Sequence, residues 1–436
     1  MRKKLLVFFL LATSYSQAQL SRPLQELRLF IKKDPPKITI DSSSYLDLFE
    51  KNQLNYFYPL YKAFLQENQS MIKDSSLHYS LLADAVSFLG DNSSVLTYEK
   101  ASYEKLPDSI QNEIIQLSKI AGETTYTDAR QYIAEQSARR KIVMLNEAHN
   151  KPQTYAFASS VLEDLYKEGF RYLGMEMLDN RRNKAAIKIN ALTGFYVNEP
   201  VAAELIRKAI EIGYTVFPYE DTSRTHNLNQ REYTAAENIH RFLSTKDSSA
   251  KALIIAGYSH IQEGAVSDDH IPMAAYYKII TGMDPLTIDQ TEMIEGSSSP
   301  YGLYMYEQWT KQKPVNTAVV AVKDNQSVDP FNYHLYDIHV IHPPTRYLNG
   351  RPGWMNMNGW RKETQIIPAY RTSFLVQAYY EKEYNESSVN QAIPADQTYQ
   401  TAQNGIYYLY LRKGKYKIVF RDKSYAILGT KDLEVK

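Results

Sequence analysis

Four apolar segments in the middle of the chain each run into a carboxylate or a histidine. They are Lys141–Glu147, followed by Ala148 and His149, then Arg171–Glu176, Tyr214–Glu220 and Lys251–His260. Short apolar runs of this kind, separated by segments with apolar residues every three or four positions, predict buried strands alternating with helices. Tyr155, Ala158, Leu162 and Leu165 form one helical stripe, with Asn150 as its expected cap, Pro152 in the first turn and Gly169 as its stop. Further helices are expected around Arg182–Ala191, Glu199–Ile212, Asn229–Phe242 and Ile271–Ile280, and a last short strand at Pro285–Asp289. The alternation over 126 to 294 predicts an α/β core, a mostly parallel sheet with helices on both faces.

The flanks differ from this core. Residues 20 to 125 read as a helical layer, with apolar spacing over Leu46–Leu65 and Leu77–Leu89, a polar break at Asp91–Ser94, and no catalytic constellation. Glu295–Pro300 reads as a linker. Beyond it, residues 301–436 are expected to form a β-rich region: strands at Thr317–Val322 and His334–Ile341, a loop at Gly350–Trp360, and hairpin-like segments at Ile406–Leu411, Tyr416–Arg421 and Tyr425–Leu428.

The first eighteen residues carry a secretory signature: Arg2, Lys3 and Lys4, an apolar stretch Leu5–Ala12, and Ser16-Gln17-Ala18 at the cleavage position. A periplasmic or secreted protein is therefore expected, soluble after cleavage, with no membrane span. There is no cysteine, which excludes disulfides, thiolate ligands, a cysteine nucleophile and lipid attachment through cysteine. Without the leader cations, 47 basic residues face 49 acidic ones. That balance argues against nucleic acid or an anionic membrane as partner. The 36 tyrosines suit an aromatic binding surface or reflect composition alone.

In an open α/β sheet, ligands bind outside the carboxyl ends of the strands, so the polar strand ends are expected to meet at one rim. Glu147 and His149, two residues apart, face one side. They suit a divalent cation such as Zn, Mn or Co, or an acid–base pair. Glu176 ends a buried strand and needs a metal or an ion pair, for which Arg181 and Arg182 are near in sequence. Glu220 has Arg224 and Arg231 within reach. His260 follows the most apolar strand, and Arg231 opens a helix from which it can neutralise a carboxylate or an oxyanion. Asn146, Glu220 and Tyr258 complete the rim as candidate substrate-binding residues. His270 and Asp268-Asp269 are weaker candidates, and His334, His339 and His342 are spaced so that one strand cannot align all three. Nucleophile-elbow, His-Glu-x-x-His, phosphate-loop and dinucleotide motifs are missing.

The block LNEAHNKPQTYAFASSVLEDLYKEGFRYLGMEML (145–178), then NQREYTAAENI (229–239) and ALIIAGYSHIQEG (252–264), resembles the erythromycin esterase/ChaN-like superfamily, to which TraB- and TIKI-type proteins are related. The resemblance spans about 140–290. It implies an active site of Glu147, His149, Glu176 and His260 supported by Arg231, with the first four as metal ligands where a metal is used. Asn146 departs from the pattern, which has glycine there. The group includes ester hydrolases, metal-dependent proteases and haem binders. The leading expectation is a hydrolase of an ester or amide in a small-molecule or peptide substrate. The alternatives are a haem- or ligand-binding protein without turnover, and a partner-binding C-terminal region on an inactive core.

Overall fold

The computed structural model describes residues 76–180, 187–223, 225–264, 270–297, 299–387 and 391–436. The leader, the helix expected over Leu46–Leu65, and Arg181, Arg182, Arg224, Asp268 and Asp269 lie outside the described residues.

Among the described residues, three helices precede the sheet: α1 (Ser76–Ser87), α2 (Asn92–Ser102) and α3 (Asp108–Ser118). The polar run Asp91–Ser94, expected as a break, starts α2 instead. Asp91 Oδ1 accepts the Ser94 N–H at 3.1 Å, and an N-cap of this kind satisfies a donor that the first helical turn leaves open.

The core then alternates as the apolar pattern predicts. Its first half runs β1 (Thr125–Asp128), α4 (Ala129–Ser137), β2 (Ile142–Glu147), α5 (Pro152–Lys167), β3 (Phe170–Met175), α6 (Pro200–Ile212) and β4 (Thr215–Pro218). Its second half runs α7 (Leu228–Ser244), β5 (Lys251–Gly257), α8 (Met273–Thr281), β6 (Leu286–Asp289), α9 (Pro300–Gln312), β7 (Val319–Lys323), β8 (Gln326–Ser327) and β9 (Ile338–Ile341). Two local expectations differ. Lys151, not Asn150, is the N-cap of α5, and residues 187–191 are not helical.

The strands lie in the order β1-β7-β9-β6-β2-β5-β3-β4, with β8 beside β7. From β9 to β4 every neighbouring pair is parallel, while β7 runs antiparallel to β9 and β1. Both faces of the parallel strands are covered, which is why they read as unbroken apolar runs. Ile142, Met144, Ala252 and Ile254 pack with α7 and α8 residues such as Ala235, Ile239 and Tyr277. Val143, Leu145, Leu253 and Ile255 pack on the other face with Tyr155, Leu162 of α5 and Leu205, Ile206 of α6.

The boundary expected at Glu295–Pro300 does not end the sheet. Pro300 opens α9, and β7 and β9 join the core, because each is an apolar run buried along its length. The strand expected from His334 begins only at Ile338; His334 itself is in the left-handed region at φ 55°.

Beyond the core come β10 (Tyr347–Leu348), β11 (Arg351–Pro352), β12 (Lys362–Ile366), β13 (Leu375–Tyr380), α10 (Glu381–Glu386) and β14 (Asp396–Thr398). Three longer strands follow, β15 (Tyr407–Leu411), β16 (Gly414–Arg421) and β17 (Ile427–Val435). The antiparallel sheet β14-β13-β16-β17 and the pair β12-β15 confirm a strand-rich C-terminal region. It docks on α6 through Arg207, whose Nε and Nη2 donate to Glu383 at 3.0 and 2.7 Å. Among the described residues, no helix is long and apolar enough to cross a membrane.

Candidate functional site

The rim is set by strand register. Glu147, the last residue of β2, lies opposite Gly257, the last of β5, and alternation turns both toward the α5 face. His149 Nδ1–H donates to Glu147 Oε1 at 2.6 Å, and the Tyr155 hydroxyl, in the first turn of α5, donates to Oε2 at 2.7 Å. The expected pairing of Glu147 with His149 is thus present, and both are nearly buried. Tyr196 stacks on the imidazole with centroids 4.0 Å apart, and Tyr258 meets it edge-on at 5.0 Å. Burial pulls the His149 pKa down, but Glu147 outweighs burial and leaves it raised.

Gly257 makes this arrangement possible. A Cβ there would sit 2.6 Å from His149 Cε1, 3.1 Å from its Nε2 and 3.3 Å from Glu176 Oε2. His149 and Glu176 therefore converge on the space that a side chain would fill. Among the described residues His149 Nε2 has no hydrogen-bond partner.

Glu176 follows β3 and accepts the Gly257 N–H at Oε2 (2.5 Å) and Arg231 Nη2 at Oε1 (2.6 Å). The same guanidinium takes Glu220 side-on, Nε to Oε1 and Nη2 to Oε2, each at 2.8 Å. His260 Nε2 lies 3.6 Å from Glu176 Oε1 and 3.5 Å from Arg231 Nη1, while its Nδ1–H donates to Glu232 Oε1 at 2.5 Å. Glu232 also accepts the Met273 N–H, and His270 Nε2 lies 3.4 Å from Oε1.

The charges sort accordingly. Burial raises the Glu176 carboxyl, but His260, Arg231 and His149 outweigh it and hold it below its usual range. Glu220 shares the arginine yet stays raised, because its burial exceeds that pull. Burial also opposes charge on Glu232 and on His260. Their mutual attraction wins, bringing Glu232 down to about 2 and His260 up to about 9. His260 is therefore an imidazolium at neutral pH.

Of the residues singled out in the sequence, Glu147, His149, Glu176, Glu220, Arg231, Tyr258 and His260 come together. Asn146, expected at the rim, is instead consumed in the interior. It is wholly buried, donating to the Tyr258 carbonyl (3.0 Å) and Asp289 Oδ1 (2.7 Å) and accepting the Gln290 N–H (2.7 Å). It staples β2 to β6 and holds Tyr258, whose φ of 46° lies in the left-handed region. His339 is buried between Asp289 and Asp329, at 3.2 and 3.3 Å, and His342 packs against Phe157.

The four expected metal ligands do not form a ligand set in this arrangement. Both Glu147 oxygens are taken by His149 and Tyr155. Where Glu176 meets His260, the Arg231 guanidinium already supplies the positive charge. Among the described residues no group of three or more His, Asp or Glu is arranged to hold a metal ion.

Three participants carried a sequence signal of a different kind. Glu232 occupies the first position of the buried stripe Glu232, Ala235, Ala236, Ile239 of α7; a carboxylate on an apolar stripe is the mark of a buried partner. Tyr155 counted as an apolar stripe residue, and its hydroxyl is what reaches Glu147. Asp84 lies within the buried run Leu82–Leu89 and acts electrostatically on His149.

No family model matches the chain, and no curated protein matches it. Among solved structures, the chain is similar to the type III effector HopBA1, at 10% identity over 51% of this chain and 97% of that one, with a TM-score of 0.32. A structure described as bacterial protein toxins matches at 15% identity over 54% of this chain and 65% of that one, TM-score 0.31. RRSP, a MARTX toxin effector domain from Vibrio vulnificus, matches at 14% identity over 54% and 62%, TM-score 0.31. The chain thus spans less than two thirds of the latter two, and at these scores the site is read from its own geometry.

Proposed function

We propose that the protein is a hydrolase of an ester or amide, working through two carboxylate-held histidines on the carboxyl rim of the sheet. The observation that carries this reading is the pairing itself. Glu147 holds His149 by Nδ1 and Glu232 holds His260 by Nδ1, so each ring turns Nε2 toward the Glu176 side, that of His260 lying between Glu176 and Arg231. A carboxylate behind an imidazole fixes its tautomer and stabilises its charged form, as a general acid–base pair requires.

In this reading His149 Nε2 takes a proton from water, whose oxygen attacks the carbonyl carbon. The negative charge that forms on the carbonyl oxygen is met by the His260 imidazolium and the Arg231 guanidinium. Glu176 and Glu220 hold that guanidinium in place. Collapse breaks the carbonyl–oxygen or carbonyl–nitrogen bond, and the proton held on His149 passes to the leaving group. The resemblance of the core motifs to the erythromycin esterase/ChaN-like superfamily agrees with this assignment, and the leader agrees with export.

The test is turnover of an ester and peptide panel by the whole chain, with and without chelator, beside Glu147→Gln and His260→Ala. Chelator-insensitive hydrolysis lost in both variants is expected. Equal rates in all variants would end the hydrolase reading, and a Soret shift on haem addition without turnover would favour ligand binding.

A further inference from the structure

We propose that the strand-rich C-terminal region is part of the catalytic unit. Through Gln397 and Phe88 it holds the ring of Tyr196 against His149, so that both are positioning residues of that imidazole. The kinetic consequence rests on the hydrolase reading of the site; the geometric one does not.

The run of contacts starts at the histidine. Tyr196 stacks on His149 with centroids 4.0 Å apart and planes 21° from parallel, and Tyr258 meets the same ring edge-on. The hydrogen bond to Glu147 engages Nδ1 alone, so the plane of the ring is set by what packs on it. Behind Tyr196 lies Phe88, its ring 6.4 Å away and nearly parallel, with Phe195 edge-on to both at 5.5 and 5.0 Å. Aromatic rings at these separations keep to offset and edge-on arrangements, so a shift of Phe88 is passed to Tyr196.

Phe88 sits at the corner between α1 and α2, and that corner is held from the C-terminal region. Carbonyls just past a helix end need donors from outside the helix. Gln397 Nε2, in β14, donates to the Phe88 carbonyl at 2.7 Å, and Arg351 Nη1, in β11, donates to that of Gly90 at 3.3 Å. The Tyr399 hydroxyl donates at 2.5 Å to Oδ2 of Asp91, the carboxylate that caps α2. Gly90 has φ 75°, and a Cβ there would lie 2.7 Å from the Gln397 carbonyl, so the two backbones meet where only glycine fits. Gln397 is itself locked. Its Oε1 accepts Gln377 Nε2 of β13, and Gln377 Oε1 accepts Arg421 Nε of β16, each at 2.7 Å. All three side chains are at most 2% exposed. A buried polar run of this kind specifies one arrangement of its surroundings, and this run ends on Phe88.

The experiment follows the His149 ring protons by NMR in full-length protein carrying ring-labelled histidine, the signal being assigned with His149→Gln. The variants are Phe88→Leu, Gln397→Met, Tyr399→Phe and Arg207→Lys. An aromatic face moves protons stacked on it upfield, so Phe88→Leu and Gln397→Met should move the His149 signal downfield. Both should lower kcat by up to ~10²-fold with KM little changed, the mark of a displaced reacting group. Tyr399→Phe loosens the same corner without leaving Gln377 unpaired, and decides the matter if Gln397→Met does not fold. Arg207→Lys breaks the other anchor of the region, on Glu383, and should lower stability while leaving the signal and kcat in place. A His149 signal unmoved in Gln397→Met and Tyr399→Phe, or moved as far by Arg207→Lys, overturns the proposal. A signal that moves as expected in a protein that turns over no ester or peptide supports the positioning role, and only the hydrolase reading fails.

Discussion

Glu232 Oε1 lies 2.5 Å from His260 Nδ1, so the first buried turn of α7 grips the imidazole that follows β5. Glu232 is 1% exposed, with one oxygen on His260 and the other on the Met273 N–H. It acts by keeping His260 charged and its Nε2–H aimed at the rim.

Glu232→Gln removes the charge that raises His260. With burial left to act, the histidine pKa should fall from about 9 toward or below the ordinary value of 6.5. If the imidazolium stabilises the transition state, the high-pH limb of the kcat/KM profile should move down with it. A pH–rate profile checks this; a limb unmoved by the substitution would remove His260 from that role.

The same pair makes stability depend on pH with a definite sign. Glu232 is depressed to about 2 from 4.5, so its contribution is present above 4.5 and lost as pH falls toward 2. His260 is raised from 6.5 to about 9, so its contribution is present below 6.5 and lost as pH rises through 9. These are two views of one interaction, fully present between about 4.5 and 6.5. Breaking a buried pair typically costs ~3–5 kcal/mol, so denaturant unfolding across pH should show a shoulder in the wild type that Glu232→Gln flattens.

Glu147→Gln keeps an oxygen for His149 Nδ1–H but removes the charge that favours the imidazolium. The expected result is a kcat lower by ~10²–10⁴-fold with little change in KM. Circular dichroism should stay unchanged, since Tyr155 can still hydrogen-bond the amide. Steady-state kinetics on any substrate found by the panel measures it.

Arg231→Lys tests the shared guanidinium. One ammonium cannot reproduce the side-on contact with Glu220 and still reach Glu176. A carboxylate left buried without its partner should cost on the order of 3–5 kcal/mol, read by thermal or denaturant unfolding. Glu220→Gln, which leaves Arg231 paired to Glu176, should cost less.

The apolar strands of the core were readable because strands covered on both faces are continuous apolar runs, and Ile142–Glu147 and Lys251–Gly257 end where the pattern ends. The convergence of Glu147, His149, Glu176, Arg231 and His260 was readable from their common position at strand ends or on the next helix. What was hidden is tertiary. Whether β7 and β9 extend the sheet depends on pairing partners far along the chain. Asn146 looked like a rim residue, but its side chain is on the β6 side of β2 and is consumed there. Asp84 lies more than sixty residues before His149, in a helical layer whose local pattern says nothing about what it covers.

Gly257→Ala isolates the central packing relationship of the site. Gly257 has φ −72° and ψ 137°, an extended conformation that alanine adopts without strain, so the backbone offers no objection. The added methyl would lie 2.6 Å from His149 Cε1, well inside contact distance, and a tight 3.3 Å from Glu176 Oε2. His149 must then swing away or Glu176 must give up the Gly257 N–H. Either displacement separates the two groups that meet there, and a displacement of about 1 Å at reacting groups costs ~10²-fold in rate. Because the strand and its register need not change, secondary structure should be kept while activity is lost. Full activity in Gly257→Ala would mean that His149 works from another position than the one it holds against this glycine.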